Sequence, residues 1–238
     1  MLIRLDKFIS SQKNEISRSM VKELCKKGKI SVNGAVCKKS DLKIDPETSA
    51  VVVNGEKIKY RQFIYIMLNK PQGVVCSTRD GKSPTVLSLV PPELYRDGLF
   101  PAGRLDKDTE GFVLITDDGE LAHKMLAPKS HVPKKYFVKL EKPWKNDYAV
   151  RFSDGIIIDG GEKCLPAEFL PDHNNPNQCC LILHEGKFHQ VKRMFEALDN
   201  KVVYLRRIAI GNLPLDENLP LGKCLEILHK DVEKLLSI

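Results

Sequence analysis

The run Gly103-Arg104-Leu105-Asp106 places one carboxylate in a turn-rich segment that ends at Gly111, and residues 112–116 then run apolar and β-branched like a buried strand. A loop carboxylate held by a rigid strand can serve as nucleophile, base or electrostatic anchor. Arg104, two positions upstream, is spaced to pair with Asp106 or with an anionic ligand, and spacing alone does not choose. An aspartate ahead of a strand is most often a turn former, so its chemistry depends on what the chain brings near it. Three segments offer partners. Lys134-Lys135-Tyr136 sets an aromatic ring at the mouth of a strand behind two cations. Residues 184–195, His-Glu-Gly-Lys-Phe-His-Gln-Val-Lys-Arg-Met-Phe, open a helix. Its apolar stripe is Val191, Met194, Phe195 and Leu198, so Lys192 and Arg193 flank the buried side and one of them can point into a pocket. The turn Asn69-Lys70-Pro71-Gln72-Gly73 supplies a further cation beside backbone N–H groups.

These groups lie far apart in sequence, so strands must gather them. The patterns predict strands over 65–71, 74–78, 112–116, 136–140, 155–158 and 179–183, with helices over 119–126 and 189–198. Strands outnumber helices, and the connections are too short for repeated βαβ units. An α+β domain around a mixed, mostly antiparallel sheet is expected.

The 238 residues suffice for a small domain plus a larger one, and 42% hydrophobic with 29% charged residues is ordinary for a globular chain. No apolar run reaches the roughly 20 residues that span a bilayer, and the N-terminus lacks the layout of a secretory signal, so no membrane association and a cytoplasmic location are expected. Seven cysteines without a C-x-x-C pair argue against a disulfide framework or a zinc ribbon. No histidine spacing suggests a metal site, and no metal or cofactor is expected.

The net charge of +7 is uneven: residues 1–57 hold 12 Lys and Arg against 7 Asp and Glu. Leu5, Phe8 and Ile9 predict a short helix. Ser17 is placed to cap a second one, with Met20, Val21, Leu24 and Cys25 facing inward and Gly28 ending it. Arg18, Lys22 and Lys26 fall in one row on that helix, mutually repulsive unless phosphates neutralise them. The hairpin turn Asn33-Gly34 and a second strand over 50–54 complete a small module. Arg4-Leu5-Asp6-Lys7, Ser17-Arg18, the basic helix and Val32-Asn33-Gly34 together resemble the ribosomal protein S4-type RNA-binding domain. We expect that domain over 1–58, a linker over 59–63 and a catalytic domain over 64–238. Arg4, Lys7, Arg18, Lys22 and Lys26 are its expected RNA contacts.

Met67-Leu68-Asn69-Lys70-Pro71-Gln72-Gly73, Gly103-Arg104-Leu105-Asp106, Lys135-Tyr136 and His189-Gln190-Val191-Lys192-Arg193-Met194-Phe195 resemble, in order, the motifs of the RsuA-type pseudouridine synthases. Asn69 to Gly73 and Cys76-Ser77-Thr78 bring the likeness nearest to the member acting on small-subunit 16S ribosomal RNA. The resemblance implies isomerisation of a uridine flipped out of its stack, with no cofactor because no atoms are gained or lost. It assigns Asp106 as the essential carboxylate, acting on C1′ or on the 2′ proton. Lys192 is then its cationic partner, with Arg193 as the rival for that role, and Tyr136 stacks on the base. Lys70, Lys134, Lys135 and Arg193 are expected at phosphates, and Arg104 at the RNA backbone or in the space the uridine leaves. The expected partner is ribosomal RNA, either free or within an assembling small subunit, and the expected state a monomer. Alternatives are the same reaction on 23S ribosomal RNA, a non-catalytic ribosome-assembly factor, or a glycosidase pairing Asp106 with Asp108 or Asp117.

Overall fold

The computed structural model describes residues 1–236, so Ser237 and Ile238, the end of the expected catalytic domain, lie outside the described residues. The chain divides into two units, and the segment Pro92–Leu99 belongs with Met1–Ile64 rather than with its sequence neighbours. Within that first unit Arg96 ties the segment down, donating from its guanidinium to the carbonyls of Arg61 (2.9 Å) and Gln62 (2.8 Å).

Helix α1 (Leu5–Gln12) buries Leu5, Phe8 and Ile9, as their spacing requires. The Ser17 hydroxyl caps α2 (Arg18–Lys26) by accepting from the Met20 N–H at 3.3 Å. Met20 itself is 49% exposed, against expectation. The buried stripe of α2 runs through Val21 and Cys25, and Met20 lies about 100° around from Val21, off its edge. Asn33-Gly34 joins the strands Ile30–Val32 and Ala35–Val36, with φ positive at both turn residues.

Among the described residues of the second unit, nine strands form one sheet. Its main order is Glu168–Pro171, Gln178–Leu183, Lys134–Leu140, Val202–Ile210, Glu110–Thr116, Tyr65–Lys70 and Cys224–Glu226. Every pairing is antiparallel except that of Val202–Ile210 with Glu110–Thr116. Helix α3 (Gly119–Leu126) packs Leu121, Ala122 and Met125 with Tyr65, Met67, Phe112 and Leu114. A separate cluster joins Val138, Leu140, Leu181 and Leu205 to α4 (Tyr148–Ser153) and to Val191, Met194 and Phe195 of α5 (Gln190–Glu196).

Two expected strands shrink. Residues 74–78 retain one isolated bridge, Val75 to Thr85, because the local turns leave no neighbour to pair with. Residues 155–158 leave Ile157–Ile158, in a two-stranded ribbon apart from the main sheet. The nine-residue strand Val202–Ile210 was not anticipated; Arg206-Arg207 at its centre hides the apolar run. No described helix is long and apolar enough to cross a membrane.

Candidate active site

The loop carrying Asp106 is built on a lysine. Tyr65–Lys70 is buried along its whole length, and Lys70 is wholly buried at its end. Its ammonium donates to the carbonyls of Thr109 (2.8 Å), Asp106 (3.0 Å), Pro71 (3.1 Å) and Lys107 (3.3 Å). Burial pushes its pKa down, opposed by the surrounding Cys76, Asp108, Asp106 and Glu110. Lys70 therefore does not bind phosphate: an ammonium enclosed by four backbone carbonyls has no face left for RNA. Two more contacts complete the scaffold. The Leu105 N–H donates to Cys76 Sγ at 3.3 Å, and Arg207 reaches the Arg104 carbonyl at 3.5 Å. Cys76 is thus a buried support beneath the loop.

So held, Asp106 meets α5. Lys192 Nζ lies 3.2 Å from Asp106 Oδ2, and His189 Nε2 lies 3.5 Å from Asp106 Oδ1. Of the two basic residues flanking the α5 stripe, Lys192 touches the carboxylate. It is shared: Asp108 Oδ1 lies nearer, at 2.6 Å. Partial burial opposes the Lys192 charge, but the hydrogen bonds and fields of Asp108 and Asp106 outweigh it and raise its pKa. Burial likewise opposes ionisation of Asp108, yet Lys192 holds that carboxyl below its ordinary range. The two carboxylates thus face one ammonium, where a two-carboxylate glycosidase needs an open sugar groove.

Arg193 turns away and is corrected as an RNA contact. Its guanidinium is occupied by Asp159 Oδ1 (2.5 Å) and the Phe188 carbonyl (3.1 Å), with Glu162 at 3.6 Å. A helix turns about 100° per residue, which sends Lys192 and Arg193 to different partners. Arg104 is exposed and its guanidinium has no partner among the described residues.

Backbone register places Tyr136 on the same sheet row as Lys70. Lys70 pairs with Gly111, Gly111 with Arg207 and Arg207 with Tyr136, one row across four strands. Gly111 makes the row possible: at φ +103° a Cβ there would sit 2.2 Å from the Arg207 carbonyl oxygen. Tyr136 packs against the cluster that α5 covers, and its hydroxyl makes no hydrogen bond among the described residues. Lys134, two residues before it, is half-buried; burial and then the charge of Arg207 push its pKa down to about 8. Lys135 lines a cavity of about 610 Å³ with Arg206 and Glu217.

In the first unit Lys7, Arg18 and Lys22 are exposed, and their side chains make no hydrogen bond or close ion pair among the described residues. Lys26 reaches Glu23 at 2.9 Å. Arg4 is corrected as a free RNA contact, because it donates twice to the buried Asp6, at 2.7 and 3.1 Å. That contact lowers the Asp6 pKa.

Asp108, His189 and Arg207 were not anticipated. Asp108 enters the sequence analysis only as the second carboxylate of the glycosidase alternative, and His189 only within the motif that opens α5. Their two-residue offset from Asp106 and three-residue offset from Lys192 are the only sequence signals, and both need the tertiary contact to acquire meaning.

Comparison with known proteins gives both parts of the chain a family. Residues 64–197 match the family model of RNA pseudouridylate synthases, and residues 3–48 match the S4 domain. The chain is 43% identical to the uncharacterized RNA pseudouridine synthase YtzG of Bacillus subtilis, over 98% of each chain. It is 41% identical to ribosomal small subunit pseudouridine synthase A of Yersinia pestis, over 93% of each. A solved pseudouridylate synthase aligns over 98% of this chain and 99% of its own at TM-score 0.68 and 37% identity. With a loop carboxylate facing a lysine on one unit and an S4 domain before it, the chain belongs to the RsuA-type family of RNA pseudouridine synthases, which are RNA isomerases.

Proposed function

We propose that the chain isomerises one uridine of 16S ribosomal RNA, with Asp106 as the carboxylate that acts on the ribose. The observation that carries this is the Asp106–Lys192 contact at 3.2 Å, made on a loop whose carbonyls are fixed by a buried lysine. The 16S assignment is supported by relatives named for the small subunit, such as that of Yersinia pestis.

A paired uridine hides its C1′ and cannot rotate in the stack, so it must swing out. Lys192 supplies the positive charge that keeps an anionic Asp106 compatible with an approaching phosphodiester. Asp106 then either adds to C1′ as the N1–C1′ bond breaks, or removes the 2′ proton so that a glycal forms. In both cases uracil departs with the bonding pair, turns, and rejoins C1′ through C5; on the first route C5 displaces the Asp106 carboxylate from C1′, and on the second Asp106 returns its proton to C2′ as C5 bonds C1′. The C5 proton is lost and N1 gains one, so the sum is an isomerisation. Tyr136 stacks on the turning ring, and its unengaged hydroxyl is free to assist proton transfer at C5. Arg104, Lys134 and Lys135 offset unstacking through phosphate contacts. In the first unit Lys7, Arg18 and Lys22 do the same for the surrounding RNA.

Asp106→Asn tests this on 16S ribosomal RNA carrying C5-tritiated uridine. Tritium release is expected to fall at least about a thousandfold, while the dissociation constant for the RNA stays within about threefold. Near-normal release would end the proposal.

A further inference from the structure

The segment leading into α5 holds a feature that the chemistry above does not use. Phe188 is 75% exposed, well above the other exposed aromatic residues, Tyr95 at 42% and Phe63 at 37%. An apolar ring in that position ordinarily gains nothing from order. Yet the backbone around it is held by several contacts. Its carbonyl accepts from Arg193 Nη1 at 3.1 Å, and the neighbouring Lys187 N–H donates to Gln190 Oε1 at 2.9 Å. Lys187 Nζ donates to the Lys163 carbonyl at 2.7 Å and meets Glu162 at 3.1 Å. Gln190 in turn donates to Glu185 at 2.7 Å. His189 takes a left-handed backbone (φ 48°), a conformation uncommon for a residue with a side chain.

This backbone stacks the two rings. The Phe188 and His189 centroids are 3.8 Å apart with planes inclined by 18°, and His189 Nε2 lies 3.5 Å from Asp106 Oδ1. One face of Phe188 is thereby covered by a ring that touches the carboxylate, while most of its remaining surface meets solvent. A rigid, flat, one-sided aromatic surface at this place suits a nucleobase, because every base offers a π-face and stacking needs little hydrogen-bond complementarity.

We infer that Phe188, backed by His189, is a stacking platform for a base flanking the reacting uridine. The flanking base is the fitting occupant because Phe188 lies at the exposed rim. The reacting ribose must instead approach Asp106, whose side chain is only 26% exposed. This inference rests on the proposed action on ribosomal RNA, but its fluorescence test does not depend on turnover.

Three variants decide it. Phe188→Trp places an indole at the platform, and its emission is compared with that of the parent, whose one tryptophan is Trp144. Adding 16S or 23S ribosomal RNA transcribed in vitro is expected to quench the new emission, in an Asp106→Asn background as well. Phe188→Ala is expected to raise KM for 16S ribosomal RNA about tenfold, the scale of one base–aromatic stack, with kcat within about twofold. Phe188→Tyr, which keeps the ring, should restore KM. Absence of quenching with either RNA at saturation, or an unchanged KM in Phe188→Ala, would overturn the platform. Quenching without tritium release from the parent protein would instead uphold the platform and remove the proposed reaction.

Discussion

The basic helix of the first unit and the basic residues around Asp106 in the second use the same two side-chain types in opposite ways. On α2, Arg18 and Lys22 stand in solvent, and their side chains make no hydrogen bond or close ion pair among the described residues. Around Asp106, Lys70 is enclosed by carbonyls, Lys192 by two carboxylates and Arg193 by Asp159. Exposed cations that repel one another are held ready for an outside polyanion, and their contribution is long-ranged and sensitive to salt. Satisfied cations organise the protein itself, in a setting where hydrogen bonds and charge are screened less. A lysine in a motif therefore carries no fixed role, and its role follows from whether the fold leaves its ammonium free.

The largest effect that would break this contrast lies at Lys70. Lys70→Met leaves four carbonyls without their shared donor, which is expected to cost about 4 kcal/mol. The melting temperature should fall by roughly 10 °C for a chain of this size. A thermal melt within about 2 °C of the parent would show that the enclosed ammonium does not hold the loop. Next comes Lys192→Met, which removes the charge facing Asp106 while keeping the length of the side chain. Tritium release should drop about a hundredfold or more, with RNA affinity changed less than threefold. An affinity loss matching the rate loss would make Lys192 an RNA contact like those of α2. The smallest effect belongs to α2: Arg18→Gln with Lys22→Gln is expected to flatten the salt dependence of RNA binding by roughly one to two logarithmic slope units. Rates at saturating RNA should be unchanged. An unaltered salt slope would remove α2 from the RNA-binding surface.

Some of this was legible in the chain and some was not, for reasons visible at single residues. Leu5, Phe8 and Ile9, the Ser17 cap and the Asn33-Gly34 turn depend on local rules, and the structure follows them. Met20 did not obey, because helical spacing defines a stripe and leaves its edge undecided. In the second unit the strand Val202–Ile210 escaped notice because burial of Arg207 beside the Phe112 carbonyl, at 2.8 Å, turns a charged residue into an interior one. Residues 74–78 looked like a strand and are not, since pairing needs a neighbour that sequence cannot supply.

The sequence by itself determined the ordered motifs, the family they announce, the uneven charge and the candidacy of Asp106, all of which depend on residue types and short spacings. Only the tertiary structure decided which cation meets Asp106, that Lys70 faces inward, that Asp108 and His189 join the site, and that Phe188 is held out on a pinned loop. The physical reason is that an ammonium or a ring acquires its role from atoms brought to it by distant strands, within a few ångströms, and no local spacing encodes that distance.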